Sequence, residues 1–244
     1  GLDQEIKWLR DGEDPTEIRA MVTSLLKKPL TPDAAVQIAL LNNQSLQATY
    51  AELGIAEASL VQAGRLRNPG FSFTRLHRGD EIEMERTVLF DLMVLITMPI
   101  GSDREKRRFE LTKTRVTGQV LQVAADTRRA WYRAVSSRES ARYADQVKEA
   151  AEASAELARR MAAAGNFSKL DQAREQVFYA VATAQVARAR QTAVSERERL
   201  IQLMGLWGND IQFVLPDRLP DLPDDARDIG DIEARAMRAR LDVR

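Results

Sequence analysis

The sequence predicts a mainly α-helical fold with a small β part: a long antiparallel helical hairpin of coiled-coil character, plus one β-hairpin. Three observations predict it. From Asp103 to about Ala163 there is no proline, and Val116, Val120, Val123, Thr127, Ala130, Ala134, Ser137, Ala141 and Ala144 recur in alternating steps of four and three. That is a heptad seam of small residues. Ala164-Gly165-Asn166-Phe167 then interrupts the helix, and Ser168 starts a return helix reaching about Met204. Upstream, Phe71-Ser72-Phe73-Thr74 alternates, and Val88, Phe90, Leu92, Val94, Ile96, Met98 and Ile100 are all apolar on even numbers. A period of two belongs to a strand with one apolar face.

In chain order, residues 3–28 read as two short helices. Asp14-Pro15 with Glu17 starts the second, with Asp at the N-cap and Pro at the first helical position. Thr31-Pro32 starts a helix running to about Arg67, where Asn68-Pro69-Gly70 stops it. A β-hairpin occupies about 70–100, with a polar turn at His77-Arg78-Gly79-Asp80-Glu81. Ser102 with Glu105 forms a capping box for the long helix 103–163, roughly 90 Å at 1.5 Å per residue. The return helix 168–204 begins with Asp171 three residues after its cap. Ile211–Leu215 is expected as a short strand, followed by a stiff connector at Pro216, Pro220 and Pro223. A further helix starts at about Asp224, and residues 236–243 weakly match residues 39–46.

Composition narrows the function classes. Lys and Arg number 36 against 36 Asp and Glu, so no phosphate-binding excess points to nucleic acid. Aromatics are only 6%, while alanine is abundant, which favours close helix packing over a thick globular core. With no cysteine, disulfides, zinc thiolates and a thiol nucleophile are excluded. Residues 1–30 carry no apolar signal core, so the chain reads as a mature or trimmed one. No apolar run is long enough for a transmembrane helix, which leaves open a membrane β-strand. His77 is the single histidine and has no Cys or second His beside it. No Ser/His/Asp set and no phosphate-binding glycine loop is present, so no catalytic, metal or cofactor site is expected. Trp8, Trp131 and Trp207 read as packing residues.

Several segments carry a resemblance, and their order carries it further. They are Leu30-Thr31-Pro32-Asp33-Ala34-Ala35-Val36 to Asn42-Asn43, Gln62-Ala63-Gly64-Arg65-Leu66-Arg67-Asn68-Pro69, the tip Ala164–Asp171, and Leu203-Met204-Gly205. Together they resemble one repeat of the TolC family of outer-membrane efflux proteins, over about residues 30–244. Residues 1–30 would be an extension, 31–206 the first repeat, 207–223 the connector, and 224–244 the start of a second repeat.

The resemblance implies a homotrimer whose protomers share an outer-membrane β-barrel and a periplasmic helical tunnel. A periplasmic adaptor and an inner-membrane pump would engage it, outer-membrane lipid would surround the barrel, and the cell outer membrane would be its location. Gly165, Asn166, Phe167, Ser168 and Leu170 fall in the tip that the family presents to its adaptor. Asp171 matches a residue that constricts the family's periplasmic entrance, and it also suits a helix cap with Ser168. The resemblance assigns Val88, Phe90, Leu92, Val94, Ile96 and Met98 to lipid, where periodicity alone allows equally the buried face of a soluble sheet. A periplasmic adaptor or structural coiled-coil protein is the alternative, since adaptors also carry a long helical hairpin.

Overall fold

A computed structural model describes residues 15–66, 68–79, 81–90, 92–221 and 230–240. The elements are α1 (Pro15–Leu26), α2 (Pro32–Asn42), α3 (Gln44–Ala63), β1 (Gly70–Arg78), β2 (Glu81–Leu89), α4 (Leu92–Ala163), α5 (Lys169–Met204) and α6 (Ile232–Ala239), with a 3-10 turn at Gly208–Ile211. The chain divides into two compact units, Gly1–Gln47 with Val120–Arg244, and Ala48–Gln119. The expected helix at 3–13 and the N-cap Asp14 lie outside the described residues, as does the expected helix start at 224.

The first unit holds the larger core. Ile18 and Val22 of α1 and Ala35, Ile38, Ala39 and Leu41 of α2 cluster with Ala130, Trp131, Ala134 and Val135 of α4 and Leu200, Ile201 and Met204 of α5. The heptad seam is real in its burial: Val120, Thr127, Ala130, Ala134 and Ala141 are buried, and Val123, Ser137 and Ala144 half-buried. Polar pairs tie α4 to α5 in antiparallel order. Ser154 Oγ donates to Glu175 at 2.7 Å and Arg190 to Asp145 at 2.8 Å. Trp131 is buried and donates its indole N–H to the Leu30 carbonyl at 2.8 Å. Trp207, by contrast, is 68% exposed, so its expected packing role is corrected.

The expected single helix 31–67 is two helices. Asn43 ends α2, and its Oδ1 accepts from Leu46 N at 3.0 Å, so it caps α3. A short polar side chain that can serve the next helix competes with continuing the first.

Residues 211–215 form no strand. Guanidinium groups take the place of a ladder partner. Arg197 donates to the carbonyls of Ile211 and Phe213, both at 2.9 Å, and Arg138 to that of Leu215 at 2.8 Å. Backbone bonds from Leu30 N to Val214 O at 2.9 Å and from Gln212 N to Asn209 O at 3.2 Å complete the segment. Burial pushes the Arg197 pKa down, and Arg138 nearby adds repulsion.

In the second unit the β-hairpin is antiparallel with Gly70 opposite Leu89 and Arg78 opposite Glu81. Gly79 sits in the turn at φ 64, a left-handed conformation that favours glycine. The second strand therefore lies earlier than expected. Val88 belongs to β2 and Phe90 follows it, but Leu92, Val94, Ile96 and Met98 lie in α4, so their assignment to a strand is corrected. The reason is the partner. β1 starts at Gly70, directly after Asn68-Pro69, and proline has no N–H to extend a ladder. Beyond Leu89 a strand would expose unpaired backbone, whereas a helix satisfies its own. The helix consequently absorbs Pro99, Gly101 and Ser102. Ser102 is no N-cap, and Glu105 pairs instead with Arg104 at 3.3 Å and Arg108 at 3.9 Å.

Candidate functional site

Two places in the chain gather the sequence-derived candidates. The first is the tip between α4 and α5. Gly165 adopts φ 77, its N–H donates to Ala162 O at 3.1 Å, and Asn166 N donates to Met161 O at 2.9 Å. That paired pattern is a Schellman stop, and its left-handed residue is the glycine read in the sequence. Ser168 then caps α5, its Oγ accepting from Asp171 N at 3.1 Å and donating to Asp171 Oδ2 at 2.6 Å. Arg174 donates to the other oxygen, Oδ1, at 3.2 Å. Gly165, Asn166, Ser168 and Leu170 are exposed, Leu170 at 63%, and Phe167 and Asp171 are half-buried. The tip thus offers polar backbone and one free leucine on a rigidly capped turn. Just before it, Arg159 and Arg160 both donate to Glu156, holding its carboxyl down at about 2.

The second place is the β-hairpin. Cross-strand partners share a face, and successive residues alternate faces. The register puts Phe71 with Val88, Phe73 with Arg86, and Arg75 with Met84, and Ile82 falls on the same side. Phe71, Phe73, Ile82, Met84 and Val88 are all exposed there, between 49% and 71%. The opposite face carries Ser72, Thr74, Glu83, Glu85 and Thr87. By register the first side also holds Arg75, Arg86 and His77, and the second is mixed, with Leu76, Arg78 and Leu89 beside the Ser, Thr and Glu residues. Sequence reading marked the alternation at Phe71 and Phe73 and placed Val88 on this kind of face, but put the rest of the second strand on the later apolar run and so missed Ile82 and Met84. At nine residues each, the strands have the length of tilted membrane strands, about 9–11 residues.

Elsewhere, Ala134, Arg138, Val194, Arg197, Phe213 and Leu215 line a cavity of about 390 Å³. Its arginines are already engaged with carbonyls, and the Arg197 guanidinium stacks 4.2 Å above the Phe213 ring. Among the described residues, no three His, Asp or Glu side chains gather as a metal would need, and no helix is long and apolar enough to cross a membrane.

No family model matches the chain. It is 27% identical over 187 residues to the cobalt-zinc-cadmium resistance protein CzcC of Cupriavidus metallidurans, covering 74% of this chain and 43% of that protein. Among solved structures it superposes on a membrane protein from Pseudomonas aeruginosa with a TM-score of 0.67 at 18% identity, covering 94% of this chain and 54% of that one. It superposes on the Campylobacter jejuni CmeC outer membrane channel with a TM-score of 0.56 at 16% identity, covering 85% and 45%. The chain has the fold of the TolC-family outer-membrane channels. It spans about half the length of the proteins it resembles. The two places described above are the tip of a helical hairpin and a β-hairpin with one mainly apolar side. By name, CmeC is an outer membrane channel and CzcC a resistance protein.

Proposed function

We propose that this chain is the first repeat of an outer-membrane channel protomer in an efflux or type I secretion system, a passive conduit from the periplasm to the exterior. The observation that carries the reading is the two-sided β-hairpin between long helices. Its face with Phe71, Phe73, Ile82, Met84 and Val88 is the more apolar and suits lipid, and its face with Ser72, Thr74, Glu83, Glu85 and Thr87 is the more polar and suits a water-filled lumen. A two-stranded sheet is not stable by itself, so further strands must join it. A second repeat and three protomers would close the barrel and remove the exposed edges.

The helices would then form a periplasmic wall. The tip Gly165, Asn166, Phe167, Ser168 and Leu170 would meet a periplasmic adaptor coupled to an inner-membrane pump, and Asp171 would help narrow the periplasmic entrance. Energy and chemistry would come from the pump, the chain itself supplying wall and no catalysis.

The test is deletion of the full-length gene with complementation. Deletion should sensitise cells to at least one exported compound, and the protein should fractionate with the outer membrane as a trimer. Cobalt, zinc and cadmium open the panel because CzcC is a resistance protein for those metals by name. An inner-membrane or cytoplasmic location would overturn the reading.

A further inference from the structure

The start of α4 carries one strip that the fold leaves uncovered. At about 100° per residue, Met93, Ile96, Ile100, Arg104 and Arg107 fall along one side of the helix, and Arg108 borders them. Met93, Ile96 and Ile100 are between 66% and 75% exposed. The side chains of Arg104, Arg107 and Arg108 are 81%, 80% and 75% exposed. The half-buried Phe109 and the buried Val116 and Val120 lie on the other side of the same helix. The strip therefore points away from the buried seam of α4. It changes from apolar to cationic within one turn, between Ile100 and Arg104.

That change matches the boundary between hydrocarbon and headgroups, and the lengths agree. At 1.5 Å per residue, Met93 to Ile100 covers roughly 10 Å and Arg104 to Arg108 roughly 6 Å. A bilayer about 40–45 Å thick with a core of about 30 Å has a headgroup layer of roughly 5–8 Å on each side. The three guanidinium groups fit inside one such layer when α4 runs along the membrane normal, with the apolar part of the strip on the hydrocarbon side. Arg104 pairs with Glu105 at 3.3 Å and Arg107 with Asp103 at 3.0 Å. Exposed pairs of this kind are weak. Four cations against two acids leave residues 103–108 net positive. A protein partner for the strip would need acids set against apolar residues in the same order, whereas an anionic phospholipid has that order built in.

We propose that Arg104, Arg107 and Arg108 form a cationic collar for anionic phospholipid headgroups of the periplasmic leaflet, with Met93, Ile96 and Ile100 against the acyl chains. This rests on the reading of the chain as part of an outer-membrane barrel. The collar follows the end of β2 in the chain, so its charges stay out of the hydrocarbon and fix the depth of the barrel. Phosphatidylcholine also carries a phosphate, but its choline cancels the charge. The collar selects net negative charge at one level of one helix face.

Titration calorimetry on the full-length protein in detergent micelles tests it. Phosphatidylglycerol and phosphatidylcholine with the same acyl chains are compared at low salt. Wild type should bind phosphatidylglycerol the more tightly. At about fivefold per arginine near an anionic surface, Arg104→Gln with Arg107→Gln should weaken phosphatidylglycerol binding about 25-fold. Phosphatidylcholine binding should not change. Lys106→Gln with Lys113→Gln removes the same charge from another side of the helix and should weaken binding about twofold at most. Arg104→Lys with Arg107→Lys keeps the charge and should keep most of the affinity. Inorganic phosphate at the same concentration should not displace the lipid.

Equal losses from the arginine and lysine pairs would reduce the effect to overall charge and overturn the collar. So would no loss from the arginine pair, or equal affinity of wild type for the two lipids; each leaves the membrane reading intact. A loss with Arg104→Lys and Arg107→Lys as large as with glutamine would mean that the arginines shape the helix and hold no lipid. Displacement by inorganic phosphate would make this a site for a free anion and refute the lipid proposal. Full-length protein that stays soluble without detergent and is absent from the outer membrane would remove the membrane reading itself.

Discussion

The side-chain amide of Asn42 donates to the Gly205 carbonyl at 2.7 Å and to that of Met204 at 3.2 Å. Asn43 adds a bond to Leu203 O at 2.8 Å. Two consecutive asparagines at the end of α2 thus satisfy three carbonyls at the end of α5, where a helix leaves its last acceptors unpaired. Gly205 is bound from a second side: it takes φ 66, and a Cβ built on it would lie 2.4 Å from Asn42 O. A glycine is required both by the left-handed turn and by the approach of α2.

Gly205→Ala should therefore destabilise more than a left-handed residue alone, which costs roughly 1–2 kcal/mol. With the displaced α2 carbonyl the loss should reach about 3 kcal/mol. Asn42→Ala should lose about 1–3 kcal/mol, because carbonyls are left without donors. Urea unfolding followed by far-UV circular dichroism reads both. A neutral Gly205→Ala would show that the two helix ends do not hold each other.

The hairpin predicts an alternation that thiol labelling can see: these 244 residues hold no cysteine, and any cysteine elsewhere in the full-length protein is first replaced by serine. In the full-length protein in intact outer membranes, Phe73→Cys should react slowly with a water-soluble maleimide and Thr74→Cys quickly. The same contrast should hold for Val88→Cys against Thr87→Cys. A tenfold difference in rate is expected between a lipid and a lumen position. Equal fast labelling at all four sites would mean that neither face meets lipid.

How legible these features were depends on whether their causes are local. The stops and starts were readable because each is set within a few residues: Gly165 and Gly205 in left-handed turns, and Thr31 and Ser168 as caps whose hydroxyls accept from Ala34 N and Asp171 N. The seam from Val120 to Ala144 was readable because its period belongs to one helix. The second strand was misplaced because pairing is not local. The apolar alternation of 88–100 is strand-like, yet the ladder ends where Pro69 removes a donor from the partner. That error hid the pairing of Phe73 with Arg86 and Arg75 with Met84, and hence the shared face of the two arginines. The extended run 211–215 looked like a strand for the same reason. Nothing nearby shows that Arg138 and Arg197 will take its carbonyls.

Glu156 gives a pH prediction. Hydrogen bonds from Arg159, then Arg160, hold its pKa down from 4.5 to about 2. A carboxyl lowered in the folded state adds stability that is present above its ordinary value and lost as pH falls through about 2. Helicity of the last turns of α4 should fall progressively as pH drops from 4.5 to about 2, and Arg159→Gln should make that fall smaller. A side-chain carbon titration by NMR would check it. A Glu156 midpoint near 4.5 would mean that the exposed arginines do not hold it in solution.

The tip carries the last prediction. Asp171 is held within its own helix on both oxygens, by Ser168 Oγ at 2.6 Å and by Arg174 at 3.2 Å. Each carboxylate oxygen still has a lone pair to offer a neighbouring helix pair, so a cap and a bridge are compatible. In the full-length protein, Asp171→Ala should loosen the periplasmic entrance without unfolding the arm. The cap it weakens is worth about 1 kcal/mol, and α5 has 36 residues with buried partners to absorb that loss. Ser168→Ala separates the two roles, because it removes the hydroxyl that accepts from Asp171 N and leaves the carboxylate in place. Single-channel conductance in planar bilayers should rise severalfold for Asp171→Ala and stay near wild type for Ser168→Ala. Thermal unfolding should show a small, similar loss for both. If both variants leak equally, the cap alone positions the tip. If neither leaks, Asp171 has no part in closing the entrance, and its carboxylate serves only Ser168 and Arg174.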